Sequence, residues 1–117
     1  MREIGSTKMA KSNLCKIEFY VPETHLEAVK NAMFEAGAGK VGAYDSCAWQ
    51  TLGQGQFRAK EDSDPFIGSK ESIETVLEYK VEMVCEEKFL PEVIFALKDS
   101  HPYEEVAYSV VQLRSID

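Results

Sequence analysis

The polar and apolar positions change period several times along the chain. Over Leu14–Val21 they alternate, with Cys15, Ile17, Phe19 and Val21 on one side and Lys16 and Glu18 on the other. A period of two predicts a half-buried strand. From Thr24 to Ala36 the period lengthens, and Leu26, Val29, Ala32, Met33 and Ala36 fall on one helical stripe. Thr24-His25-Leu26-Glu27 reads as a capping box at its start. Gly37 reads as its stop, because glycine accepts the left-handed conformation that closes a helix. Alternation returns over Ile73–Cys85, where Ile73, Leu77, Tyr79, Val81, Met83 and Cys85 oppose Glu74, Glu78, Lys80 and Glu82. A second helix is predicted from about Phe89 to Ser100, with Leu90, Val93, Ala96 and Leu97 as its stripe. Pro91 fits only its first turn, and His101-Pro102 ends it.

Sliding the chain against itself by 64 residues aligns Lys16-Ile17-Glu18 with Lys80-Val81-Glu82. The same shift places Glu23 on Glu87, Leu26 on Leu90, Val29 on Val93, Ala32 on Ala96 and Ala43-Tyr44 on Ala107-Tyr108. That is eight identities in 29 positions, several times what chance supplies. The chain is therefore read as a duplicated strand–helix–strand unit, with equivalent strands beginning at Tyr44 and Tyr108. Between the units, Trp49–Leu52 and Gln56–Arg58 flank Gly53-Gln54-Gly55 and predict a hairpin. An acidic loop, Glu61–Gly68, follows. The fold class expected is α+β: a ferredoxin-like duplicated β-α-β with an extra hairpin between the two units.

Length and composition add limits. The 117 residues make one domain, assigned to residues 14–117. Residues 1–13 are polar and read as a disordered leader, with Met9 an alternative start. No apolar run approaches the roughly 18 residues of a membrane span, and the first residues have no apolar signal segment. A cytoplasmic protein is expected. The net charge of −7 argues against nucleic acid and anionic membrane as partners. Acid concentrates in residues 61–92, with 10 acidic and 3 basic side chains. Such a block is a solvated strand face or a surface for another subunit or a cationic partner. Trp49, Phe57 and Phe66 cluster beside it and are expected to pack between subunits or over the open sheet.

Candidate chemistry is sparse. Cys15 and Cys85 lie in strand patterns and read as buried thiols. Cys47 follows the glycine-rich turn Gly37–Gly42, which reads either as an anion-binding turn with Lys40 or as a helix stop and tight link. His101-Pro102-Tyr103-Glu104-Glu105 sets a histidine beside two carboxylates. It reads as part of a metal or acid–base site, or as a loop ending a helix. No nucleophile elbow, HExxH, kinase or dinucleotide pattern occurs, so no enzyme activity is expected.

Four segments together resemble a known family: Gly37–Cys47, Gly53–Arg58, Pro65–Gly68 and His101–Tyr108. In this order they look like the insert domain of YqfO-type proteins, in the NIF-three-like (NGG-one-interacting-factor) family. The resemblance spans about residues 14–113. It implies a CutA-like, P-two-like fold, a tendency to trimerise, and a cleft between subunits. The family's flanking core carries a dinuclear metal site with paired histidines. This chain has only His25 and His101, so that chemistry is not implied.

The function expected is therefore a non-enzymatic, homo-oligomeric binding or regulatory module, a trimer or dimer, with a small-molecule ligand or a protein partner. The residues assigned to ligand binding are Tyr44, Cys47, Arg58, His101, Glu104 and Glu105. Arg58 is the anion contact, because a guanidinium suits bidentate pairing. His101 and Glu104 are the pair for a divalent metal. Two alternatives stand beside this. One is a metal-binding protein or metal-dependent enzyme using His101, Glu104, Glu105 and Cys47. The other is an assembly partner of a separate dinuclear-metal core protein.

Overall fold

The computed structural model describes residues 13–114. The expected leader, apart from Asn13, and the alternative start at Met9 lie outside the described residues. Strand β1 (Leu14–Val21) buries every second residue, as its alternation requires. Helix α1 (Leu26–Glu35) follows a single tight turn at Glu23–His25. Strand β2 (Trp49–Arg58) and strand β3 (Ile73–Glu86) come next. A second tight turn at Glu87–Phe89 leads into helix α2 (Leu90–Ser100), and strand β4 (Tyr108–Gln112) is the last element among the described residues. The sheet order is β2-β3-β1-β4, with every neighbouring pair antiparallel. This is the ferredoxin-like α+β arrangement that the order of elements predicts.

The duplication extends to the turns. Tight turns begin at Glu23 and Glu87 and helices at Leu26 and Leu90, each pair separated by the same 64 residues as the sequence repeat. The two helices pack one face of the sheet through Leu26, Val29, Met33, Val93 and Leu97, over Ile17, Phe19, Val21 and Val81. Cys15 and Cys85 are buried, unbonded and directly opposite each other across β1 and β3. Burial, with Cys15 and Glu86 beside it, pushes the Cys85 thiol up to about 11.

Three local expectations are corrected. Thr24 does not cap α1: the preceding position is His25, with no side-chain cap, and Thr24 Oγ1 instead meets His25 Nδ1 at 2.8 Å. Pro22, held near φ −70° by its ring, starts the turn early and consumes Thr24 within it. The second correction concerns the hairpin within Trp49–Arg58. That segment is one strand, paired without interruption from Trp49↔Glu82 to Arg58↔Ile73. Neither Gly53 nor Gly55 takes the positive φ that a glycine turn uses. The hairpin that forms is β2 with β3, closed by residues 59–72. Third, only Tyr108 begins a strand. Tyr44 exchanges two 2.9 Å backbone bonds with Val41 in a tight turn, and β2 starts later, at Trp49.

Gly37 does stop α1. Its N–H bonds to Phe34 O and the Ala38 N–H to Met33 O, the paired bonds of a Schellman motif.

Strand β1 pairs β3 only as far as Val21↔Tyr79, whereas β2 continues to Ile73. The last six residues of β3 toward its start therefore stand beyond the helices as a two-stranded ribbon about 20 Å long. It draws the molecule out to 61 × 23 × 22 Å. The two ends of the described chain meet at the opposite end, where the Leu113 N–H donates to Leu14 O at 2.9 Å. No helix among the described residues is long and apolar enough to cross a membrane.

Candidate functional site

At the root of the ribbon, β1 ends at Val21 and leaves the face of the sheet opposite the helices open. Two loops close over it: residues 59–72, joining β2 to β3, and residues 101–107, joining α2 to β4. They enclose a cavity of about 440 Å³. Tyr20, Phe57, Val76 and Glu78 rise from the sheet, and Phe66 and Tyr103 come from the two loops.

The loops are clasped to each other. The Asp64 backbone N–H donates to Glu104 Oε1 at 2.8 Å. Phe66 lies edge-on to His25 at 5.6 Å and tilted against Tyr103 at 6.3 Å. Tyr103 in turn donates its hydroxyl to Glu78 Oε2 at 3.0 Å, tying the 101–107 loop to β3. Burial, reinforced by the Glu78 carboxylate, holds the Tyr103 phenol well above the usual tyrosine range, so it remains a protonated donor.

His101 lies behind this wall. It is 7% exposed, and both ring nitrogens are engaged. Nε2 donates to Tyr20 O at 2.6 Å, and Nδ1 accepts the Tyr103 backbone N–H at 3.1 Å. That pattern is the neutral tautomer with its proton on Nε2. Burial holds the imidazole below the ordinary histidine range. The bond to Tyr20 O opposes this, and His25 adds to it.

Of the six residues assigned from the sequence, the structure brings three to the cavity: Arg58, Glu104 and Glu105. His101 supports the cavity wall without lining it. In this arrangement both of its ring nitrogens are engaged within the chain, and Glu104 is held by the Asp64 N–H. Among the described residues no three of His, Cys, Asp and Glu converge as a metal set. Tyr44 and Cys47 lie elsewhere. The Cys47 N–H donates to Gly39 O, and the Gly39 N–H to Val84 O, both at 2.8 Å. Val84 is six residues along β3 from Glu78, about 20 Å away. The Gly37–Gly42 turn is thus a link fastened to the sheet. The N–H groups of Gly37, Ala38, Gly39 and Val41 are all spent on backbone carbonyls rather than free for an anion.

The residues missed are Tyr20, Glu78 and Tyr103. Glu78 carried a signal only as one glutamate of an alternating strand. Of the aromatics expected to pack between subunits or over the open sheet, Phe57 and Phe66 line the cavity, Phe66 with 53% of its surface still exposed. Trp49 does not join them: it is 69% exposed near the other end of β2.

No protein-family model matches this chain. It is 43% identical over 102 residues to a protein of Mycobacterium tuberculosis named GTP cyclohydrolase 1 type 2 homolog, covering 87% of this chain and 27% of that one. Its fold superposes on the crystal structure of a Bacillus cereus protein related to NIF3 with a TM-score of 0.75 and 35% identity, over 87% of this chain and 26% of that one. CutA from Synechococcus elongatus shares the fold at a TM-score of 0.64 and 18% identity, over 88% of this chain and 79% of that one. The chain spans about a quarter of the length of the curated relatives it matches. The similarity is thus to one part of NIF3-related proteins, and that part has the CutA fold.

Proposed function

We propose that this chain is a non-enzymatic binding module that works as a homotrimer, with the cavity at the ribbon root as its binding cleft. One observation carries the reading: among the described residues both edges of the sheet are open, with exposed apolar side chains beside each. Strand β2 is a ten-residue edge whose outer side pairs with no other strand among the described residues. An edge of this length, without proline, is a template for pairing with another chain. Around it Leu52, Ile73 and Leu77 are each more than half exposed. The other edge, β4, presents Tyr108, Val110 and Val111. One copy's β2 edge meeting the next copy's β4 edge is a heterologous contact, which generates a ring when its rotation closes, here after three copies.

The test is size-exclusion chromatography with light scattering on the wild type, Leu52→Glu and Leu77→Glu. The proposal expects a multimer that dissociates in both variants. A wild-type monomer, or variants that keep the wild-type mass, contradicts it.

A second reading has its own support. The chain spans only a quarter of its relatives, and the two ends of its described part lie side by side at Leu14 and Leu113. A unit with adjoining ends suits attachment to a larger body. On this reading the chain assembles with a separate protein equivalent to the rest of those relatives. A stable complex between the two after co-expression is the expected result.

A further inference from the structure

We propose that the cavity at the ribbon root binds a small organic ammonium ion with an apolar or aromatic body, received by Glu78 and the rings of Tyr20, Phe57, Phe66 and Tyr103. This deepens the binding-module reading and rests on it.

The argument starts from the charges on the open face of the sheet. Lys16 pairs with Glu82 at 2.9 Å and with Glu18 at 3.3 Å, and Lys80 reaches Glu18 at 4.0 Å. Glu78 is next along the same face and is in no ion pair among the described residues. It is half-buried, and its hydrogen-bond partner is the neutral Tyr103 hydroxyl. A carboxylate withdrawn from water is ordinarily matched by a positive charge.

Its position is built. A Cβ at Gly55 would collide with the Glu78 carboxylate, so the side chain lies across Gly55 and would have to shift aside for an alanine there. Glu78 and Tyr20 are also shared by a second cavity of about 320 Å³ over Gly53, Gln54 and Gly55. Glu78 therefore stands where the two spaces meet.

The walls fit the same class of ligand. Aromatic rings present electron-rich faces that attract ammonium groups, and a ring of them beside a carboxylate is a cation receptor. The remaining acids, Asp62, Glu104 and Glu105, outnumber the bases Arg58 and Lys60. All five of these side chains are exposed, in water at the rim, which leaves Glu78 as the half-buried charge of the cavity. The net charge of −7 draws cations from a distance.

Three probes with one ring and different charge test this: benzylammonium, benzyl alcohol and benzoate, titrated by calorimetry into the full chain at neutral pH. Benzylammonium is expected to bind about tenfold tighter than benzyl alcohol, and benzoate weakest. Glu78→Gln should bring benzylammonium down to the level of the alcohol and leave the alcohol unchanged. Gly55→Ala, which keeps every charge but displaces Glu78, should do the same. Equal binding of all three probes, no saturable binding of any, or an unchanged benzylammonium affinity in Glu78→Gln overturns the proposal. So does tight benzoate binding that is lost in Arg58→Gln. The mass of each sample, read by light scattering, separates the two proposals. A monomer that selects benzylammonium refutes only the trimer, and a trimer without selectivity refutes only this site.

Discussion

Replacing His101 with alanine is expected to destabilise the protein more than any exposed substitution, and to do so through the backbone. The imidazole satisfies the Tyr20 carbonyl at 2.6 Å and the Tyr103 N–H at 3.1 Å, in a position only 7% exposed. Truncation leaves both groups without their partner, at about 1–2 kcal/mol each. It also removes the ring packed edge-on to Tyr103 at 4.7 Å, a contact of the kind that contributes about 0.5–1.5 kcal/mol. The expected loss is about 3 kcal/mol. With a urea dependence of about 1–1.5 kcal/mol per molar for a chain of this size, the unfolding midpoint should fall by about 2–3 M. Measurements belong at one fixed protein concentration, because assembly contributes to apparent stability.

The same residue gives a pH signature. Burial lowers its folded pKa below the unfolded value of about 6.5. Its contribution is therefore fully present above about pH 6.5 and is lost as pH falls through the folded value, where a buried ring must take up charge. In His101→Ala that part of the acid slope should vanish. A loss under about 0.5 kcal/mol, the spread of ordinary surface substitutions, together with an unchanged slope, would refute the reasoning.

Other outcomes follow from the same geometry. Gly39→Ala puts a Cβ 2.7 Å from the Phe34 ring at a φ of +80°, which should cost about 2–4 kcal/mol and lower Tm by about 10–20 °C in a thermal scan. Phe66→Ala removes the ring between His25 and Tyr103, so limited proteolysis within residues 59–72 should speed up several-fold while global stability changes little. Under native conditions a thiol reagent should modify Cys47 at once and spare the buried Cys15 and Cys85 until denaturant is added. Immediate labelling of all three would contradict the packing of β1 on β3.

The fold was legible because the chain states it twice. The shift of 64 residues predicts that Glu87–Phe89 and Leu90 repeat Glu23–His25 and Leu26, and they do. Fidelity was lost where the copies diverge. Gly53-Gln54-Gly55 has the composition of a turn, and only pairing with β3 along its whole length makes it strand. The Thr24 capping pattern was overridden by Pro22, two residues earlier. The site was legible on its loops and hidden on its sheet. His101-Pro102-Tyr103-Glu104-Glu105 stood out as chemistry, and that loop does wall the cavity. Its histidine faces inward, where the ring bonds the Tyr20 carbonyl near the end of β1. Glu78 sits among similar glutamates, and nothing local distinguishes it. Its difference comes from Gly55, more than twenty residues away, and from the lysines that pair with its neighbours.

The most direct measurement is native mass spectrometry of the untagged chain. The account predicts a trimer of the 13.2 kDa polypeptide. A particle that stays at the mass of one chain across micromolar concentrations would leave both sheet edges exposed to water and contradict the central claim.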